Sequence, residues 1–81
     1  MIVRVQFFSY FKDLTGCAVT MVELPEGSTI ADLHQALFGR YPKLAEMKRS
    51  MLVAVNVEYQ TPDYVLKEGD DVSLFPPVQG G

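Results

Sequence analysis

The 81-residue sequence predicts an α+β fold, in which a mixed sheet of four to five strands carries one main helix on one face. The prediction depends on the order of the segments: two with strand character, one with helical periodicity, then two or three more with strand character. The last strand is expected beside the first, because the helical connection lets the sheet close around its middle. The chain has no internal repeat, so residues 1–81 are predicted to form one domain.

The first two strands are predicted to form a hairpin. Residues 3–8 alternate between apolar and mainly polar positions, as a strand with one buried face does, and Phe8 falls on the polar face. Residues 9–14 indicate a loop or a single helical turn. Residues 17–24 are rich in β-branched and apolar types and stop at a Pro-Glu-Gly turn, so they are the second strand. Both faces of that strand carry apolar residues, and neither is singled out as the inner one.

The main helix is predicted to begin after Thr29. Thr29 and Asp32 have the spacing of a capping box, with Asp in place of the usual Glu. Apolar residues then recur at helical spacing, and Pro42 ends the helix near Tyr41 because it disfavours helical geometry at the preceding residue. Residues 43–50 are amphipathic but short, which favours a turn or a short helix.

Three further segments have strand character. Residues 52–57 are a nearly unbroken apolar run, which predicts a central strand, and residues 59–66 are a weak strand interrupted by a Pro-Asp pair. A turn at residues 68–70 precedes the last strand, residues 71–75. Phe75 falls on the face opposite the apolar row of that strand.

Composition and charge argue against several classes of function. The net charge of −3 disfavours a nucleic-acid module, which needs a basic stripe, and the sequence contains no basic amphipathic helix of the membrane-binding type. The single cysteine, Cys17, rules out a disulfide framework within the chain. No apolar stretch approaches the roughly 20 residues of a membrane span, and the N-terminal residues lack the features of a signal peptide. A cytoplasmic protein without nucleic-acid or membrane partners is therefore expected.

No group of side chains indicates catalysis or metal binding. His34 has no His or Cys at helical spacing, which favours a partly buried helix residue. Cys17 has neither a CxxC partner nor a basic cluster beside it, which favours a small hydrophobic residue at a strand end. The acidic residues Glu68, Asp70 and Asp71 lack the spacing of a Ca²⁺ loop and are predicted to form a solvated turn. The sequence therefore predicts no metal site, no bound cofactor and no self-sufficient enzyme.

The C-terminus is the segment where chemistry is expected. Residues 76–81 read Pro-Pro-Val-Gln-Gly-Gly and directly follow the last strand, as an extended functional tail. Pro76 and Pro77 favour an extended path and end the ladder pairing, while Gly80 and Gly81 leave the terminal carboxylate without neighbouring Cβ atoms. Such an end fits a narrow channel, and a partner would activate the carboxylate, most simply as an acyl-adenylate. The alternative is a frayed tail.

An exposed aromatic patch is predicted beside this tail. Phe8 and Phe75 lie on the non-core faces of the first and last strands, so they meet on the solvent side if those strands are neighbours. Tyr59 is a candidate third member. Exposed aromatic patches are more often partner sites than accidents. A second, minor core beneath residues 43–50 is an equally open interpretation.

Four segments carry a resemblance to a known family. They are MIVRVQFFSYFKDLTG, STIADLHQALFGRYP, LVAVN and LKEGDDVSLFPPVQGG, of which the ending of the last is the most specific. Together they extend over essentially the whole chain and resemble the small subunit of molybdopterin synthase. The resemblance implies the ubiquitin-like β-grasp fold, in agreement with the predicted order of elements.

The resemblance also implies a mechanism. An activating enzyme would use ATP to adenylate the carboxylate of Gly81, and sulfur transfer would then give a thiocarboxylate. The tail, kept thin by Gly80, would enter the large catalytic subunit and pass sulfur to a pyranopterin precursor. Two rounds would build the dithiolene that holds molybdenum or tungsten, and a heterotetramer with a dimeric large subunit is expected. The candidate partner-binding residues are Phe8, Lys12, Tyr59, Phe75, Pro76 and Pro77, with Lys12 where the family often has a basic residue near the activating enzyme.

Three alternatives stay open at this point. The first is a sulfur carrier of the thiamine pathway, against which the Phe-Pro-Pro approach to the tail argues. The second is a ubiquitin-like protein modifier, whose Gly81 would end in an amide bond to lysine. The third is an interaction module with an inert tail.

Overall fold

The computed structural model describes residues 1–77, without the side chains of residues 48 and 49. These residues form one five-stranded sheet in the order β2-β1-β5-β3-β4. β1 and β5 are parallel, and the other neighbouring strands are antiparallel. The elements are β1 (Ile2–Phe7), α1 (Phe11–Thr15), β2 (Val19–Glu23), α2 (Ile30–Arg40), a 3₁₀ helix (Pro42–Ser50), β3 (Leu52–Val55), β4 (Glu58–Tyr59) and β5 (Asp71–Phe75). The predicted α+β class, the first hairpin and the pairing of the first strand with the last are confirmed.

The core lies between α2 and one face of the sheet. Alternation along β1 and β5 turns one set of side chains to this face, and α2 contributes an apolar stripe with helical spacing. Leu33 and Leu37 in α2 are fully buried, as is Leu74 in β5. The buried apolar residues that form the core are Val3, Val5, Phe7, Phe11, Val22, Leu24, Ile30, Leu33, Leu37, Leu44, Val53, Val55, Leu66, Val72 and Leu74. The opposite face of the sheet is therefore left available for function.

The predicted boundaries of α2 are confirmed. The Thr29 hydroxyl accepts a hydrogen bond from the backbone N–H of Asp32 at 3.3 Å, and the Asp32 carboxylate accepts one from the N–H of Thr29 at 2.9 Å. This reciprocal pair satisfies two of the donors that a helix N-terminus leaves free. The helix ends at Arg40, two residues before Pro42. Between residues 1 and 77, no helix is long and apolar enough to cross a membrane.

The later strands differ from the prediction. The third strand ends at Val55, because Asn56 and Val57 form a two-residue turn with φ values of 50° and 68°. It pairs on both sides, but β5 rather than β3 is the central strand. The predicted strand at residues 59–66 is wrong over most of its length: only the two-residue β4 and one isolated bridge, from Val65 to Thr29, are present. Apolar character alone did not reveal that the backbone reverses direction at Asn56.

Candidate functional site

The candidate site is the end of the sheet from which the tail departs. β1 and β5 run parallel and finish together, and their pairing extends to a hydrogen bond of 3.1 Å from the N–H of Phe8 to the carbonyl of Leu74. β3 begins at the same end, with Leu52 opposite Phe75. Pro76 has no N–H to continue the ladder. The chain therefore leaves the sheet from its central strand, which neighbouring strands hold on both sides.

An aromatic cluster of Phe8, Tyr59 and Phe75 stands at this exit. The rings of Phe8 and Phe75 are stacked, with centroids 5.0 Å apart and an interplanar angle of 25°, and Tyr59 meets Phe75 edge-on at 6.2 Å. Phe8 is 39% exposed and Tyr59 is 71% exposed. Because strand alternation places the cluster on the face opposite α2, the predicted meeting of Phe8 and Phe75 is confirmed.

The alternative of a minor core beneath residues 43–50 is wrong. The 3₁₀ helix packs against α1 and α2, and its Leu44 is fully buried in the main core. The segment thus adds to the core and leaves the aromatic cluster open to solvent.

A shallow groove of about 340 Å³ follows the cluster to the last described residues, and we call it the tail-exit groove. Its wall is largely apolar, and both prolines are half-buried against it. It is lined by Phe8, Ser9, Leu52, Tyr59, Phe75, Pro76 and Pro77. Five of the six predicted partner-binding residues are in this set, although their binding role stays a prediction.

Lys12, the sixth, is exposed on α1. Its backbone N–H donates to the carbonyl of Ser9 at 3.2 Å, in the short turn that joins β1 to α1. Its ammonium group forms no ion pair within the described part of the chain. Its predicted contact with an activating enzyme stays a prediction.

Gly80 and Gly81, the predicted reactive end, lie outside the described residues. The structure defines the chain up to Pro77. The central strand β5 holds its base, Pro76 ends the pairing of that strand, and the apolar tail-exit groove lies beside the departing segment.

A polar strip crosses the open face beside the cluster. The Asp71 carboxylate accepts hydrogen bonds from the Gln6 side-chain amide at 3.0 and 3.1 Å and lies 3.3 Å from the Arg4 guanidinium. Because Arg4 and Asp71 are both substantially exposed, this ion pair contributes little to stability. It does neutralise the charge of Asp71 locally.

The predicted solvated acidic turn is wrong for Asp70, which is only 6% exposed. Its carboxylate accepts hydrogen bonds of 2.9 Å from the Asn56 side-chain amide and from the backbone N–H of Lys67. Asn56 also accepts a bond from the N–H of Asp71 at 3.1 Å. This contact fastens the β3–β4 hairpin to the start of β5. Sequence reasoning missed it because the two polar residues are far apart in the chain.

His34 is a partly buried residue of α2, as predicted, and Cys17 is partly buried two residues before β2. His34 is half-buried and stacks on Phe38 with ring centroids 5.6 Å apart, and burial lowers its pKa. Its Nε2 atom has no hydrogen-bond partner among the described residues. The Cys17 Sγ atom lies 3.6 Å from the Tyr41 hydroxyl at the edge of the core. Within the described residues, no cluster of His, Cys, Asp or Glu is arranged to hold a metal ion.

Comparison with known proteins identifies the family. The model of the ThiS family matches residues 5–81. This chain belongs to the ThiS family. One curated relative of this ThiS-family protein, the molybdopterin synthase sulfur carrier subunit of Chlamydomonas reinhardtii, is 30% identical over 83 residues and is matched over 100% of both chains.

Solved structures agree with this assignment. A putative molybdopterin converting factor, subunit 1, from Pyrococcus furiosus matches with a TM-score of 0.89 and 35% identity, over 96% of this chain and 99% of that one. A complex of subunits 1 and 2 of the molybdopterin-converting factor from Helicobacter pylori matches with a TM-score of 0.71 and 27% identity, over 100% of both chains. The fold of the ThiS-family protein is thus the ubiquitin-like β-grasp that the resemblance implied.

Proposed function

We propose that this protein is the sulfur-carrier subunit of molybdopterin synthase and that its reactive group is the C-terminal carboxylate of Gly81. The observation that carries the proposal is the exit of the chain at Pro76, from the central strand and beside an exposed aromatic cluster. A rigid base with a slender, side-chain-poor tail suits a carrier whose last atom must reach into another protein. The names of the matching relatives support the same function.

The chemistry follows from the weakness of a carboxylate as an electrophile. An activating enzyme would transfer AMP from ATP to the Gly81 carboxylate and release pyrophosphate. A sulfur nucleophile at the oxidation level of sulfide would then attack the acyl carbon and displace AMP, which leaves a thiocarboxylate; a persulfide donor would first give an acyl disulfide, which a thiol would have to reduce. This chain supplies the acyl group and the access to it, since glycine places no Cβ beside the attacked carbon.

Delivery would take place in the large catalytic subunit. The thiocarboxylate sulfur would attack a carbon of the pyranopterin precursor and displace an oxygen substituent from it, so that a carbon–sulfur bond replaces a carbon–oxygen bond and the departing oxygen takes up a proton. Water would then cleave the bond between that sulfur and the acyl carbon, which returns the carboxylate for another round. Two such rounds would supply the two sulfur atoms of the dithiolene.

The aromatic cluster and the tail-exit groove are the proposed docking surface. The activating enzyme and the large subunit would use this surface in turn, since both must reach the same tail. Successive use by two partners favours moderate affinities over a permanent complex. Lys12 would contribute to the contact with the activating enzyme.

Intact-mass analysis tests the proposal. The protein would be incubated with ATP, an activating enzyme and a sulfur donor, with a variant lacking Gly81 as the matched control. We expect wild type to gain the mass difference between sulfur and oxygen, and the truncated variant to stay unchanged. A conjugate with a second protein would instead indicate a modifier, and an unchanged wild type would indicate an inert tail.

A further inference from the structure

Val57 combines two features that are costly in a free protein. Its side chain is 98% exposed, more than that of any other large apolar residue described. Its backbone has a φ of 68°, a left-handed conformation that β-branched residues rarely adopt. Holding a residue in such a conformation is unfavourable, and residues of this kind cluster at functional sites.

The hairpin turn explains why the backbone at position 57 has a positive φ, but it does not explain why a valine stands there. Val55 pairs with Glu58, so Asn56 and Val57 are the two central residues of a tight hairpin in which both have positive φ. Such hairpins favour Asn followed by Gly. Asn56 fits this preference, whereas Val57 stands where glycine would relieve the strain.

The turn is also held firmly in place. Asn56 donates its backbone N–H to the carbonyl of Asp71 at 2.9 Å and its side-chain amide to the buried Asp70 at 2.9 Å. The position of the hairpin relative to the central strand is thus fixed by hydrogen bonds. The exposed Val57 is therefore presented from a rigid base.

Val57 borders a surface that continues to the tail exit. A groove of about 570 Å³, which we call the hairpin groove, lies between the hairpin and the open face of the sheet. Its lining includes Val57, Phe8, Tyr59 and Phe75, and the last three also line the tail-exit groove. The two grooves therefore form one continuous surface from Val57 to Pro77.

We propose that Val57 is an apolar anchor that inserts into a hydrophobic pocket of the large catalytic subunit when that subunit takes up the tail. This inference rests on the proposed function. A partner that receives the chain beyond Pro77 would lie against the tail-exit groove, and Tyr59 and Phe75 of that groove also line the hairpin groove beside Val57. A mainly apolar contact fits this surface, because five of the nine residues that line the hairpin groove are apolar or aromatic and its one carboxylate, Asp71, is already bonded to Gln6 and Arg4.

Two substitutions at position 57 distinguish the loss of the side-chain contact with the partner from the relief of backbone strain. Val57→Gly removes both the side chain and the strain, whereas Val57→Thr keeps the β-branched backbone preference and replaces a methyl group by a hydroxyl. Val65→Thr is the matched control, because Val65 is another exposed valine, at 51%, on a segment that pairs with Thr29 instead. Each full-length variant would be titrated into the purified cognate large subunit by calorimetry, and its melting temperature would be measured alone.

We expect Val57→Gly to bind at least about tenfold more weakly, since it removes a valine side chain that the interface would bury. Its melting temperature should equal that of wild type or exceed it by up to about 5 °C, because relief of strain offsets the greater freedom of glycine in the unfolded chain. Val57→Thr should also bind more weakly while melting within about 3 °C of wild type. Val65→Thr should match wild type in both measurements.

The outcomes are distinguishable. If wild type binds the large subunit and both Val57 variants bind equally well, the anchor is refuted and the proposed function stands. If wild type does not bind that subunit, the proposed function and the anchor both fail. Sedimentation of the free protein adds one further outcome: a wild-type dimer that Val57→Thr disperses would assign the contact to a second copy and overturn the inference.

Discussion

Phe75→Ala separates a docking role from a core role more clearly than any other single substitution on the open face. The Phe75 side chain is half-buried, and its ring pairs with those of Phe8 and Tyr59 at the surface. Truncation of a fully buried Phe costs about 3–5 kcal/mol, and an aromatic pair contributes about 0.5–1.5 kcal/mol. For a half-buried ring we therefore expect a loss of about 1–2 kcal/mol in the free energy of unfolding. In a domain of this size that is a fall of about 5–10 °C in melting temperature.

The expected effect on binding is larger. A central aromatic residue of an interface typically contributes 2 kcal/mol or more, so the affinity for the large subunit should fall at least about 30-fold. Calorimetric titration and thermal denaturation of the same preparation would give both numbers. The account predicts a clear loss of binding at a temperature where the variant is still folded.

Phe7→Leu is the matched control. Phe7 is adjacent to Phe8 in the chain but points into the core, where it is only 2% exposed. Its replacement should lower stability by a similar 1–2 kcal/mol without removing anything from the open face. Normal binding by Phe75→Ala, together with a stability loss well above that of Phe7→Leu, would show that Phe75 is a core residue and would refute the reasoning.

Three further predictions concern stability. Asp70→Ala should lower the free energy of unfolding by about 2–3 kcal/mol in urea denaturation, since it leaves the amide of Asn56 and the N–H of Lys67 without their acceptor; an unchanged midpoint would contradict this. Thr29→Ala should cost about 1 kcal/mol through loss of the helix cap, whereas Thr29→Ser should restore most of it. Burial lowers the pKa of His34 in the folded protein, so as the pH falls the imidazole is protonated in the unfolded chain before it is protonated in the folded one. The free energy of unfolding should therefore decrease as the pH drops below 6.5, the ordinary pKa of histidine, and should level off below the pKa of the folded protein. His34→Gln should remove that part of the pH dependence, and an unaltered profile would show that other groups cause it.

Much of the fold follows from local patterns in the sequence. The alternation in β1 and β5 predicted both which face of each strand is buried and the meeting of Phe8 with Phe75, because strand geometry alone decides where the next side chain points. The cap at Thr29 and the stop before Pro42 were predictable for the same reason, since their causes lie within a few residues.

The errors arise where distant parts of the chain decide the structure. Val57 continues an apolar run, which predicts a strand through residue 57, but the strand ends two residues earlier, at Val55, where hydrogen bonds from Asn56 to residues 70 and 71 hold the turn. Asp70 has the polarity of a surface turn and becomes buried because Asn56 and Lys67 satisfy its carboxylate. Neither partnership is visible in local periodicity.

Some features of the candidate site could likewise be predicted from local sequence, and others depend on contacts between distant residues. The aromatic residues could be placed from alternation, and the tail from its composition. The continuity of the hairpin groove with the tail-exit groove depends on the positions of Tyr59 and Val57 relative to Phe75, and only the three-dimensional structure supplies those.

The most direct test of the central claim follows the sulfur atom itself. The carrier would be loaded at Gly81 with radiolabelled sulfur, separated from its activating enzyme, and mixed with the large subunit and the pyranopterin precursor. The account predicts that the label leaves the carrier and appears in the dithiolene product, and that the carrier recovers the mass of its free carboxylate. Label that stays on the carrier, or a carrier that leaves Gly81 bonded to a lysine of another protein, would contradict it.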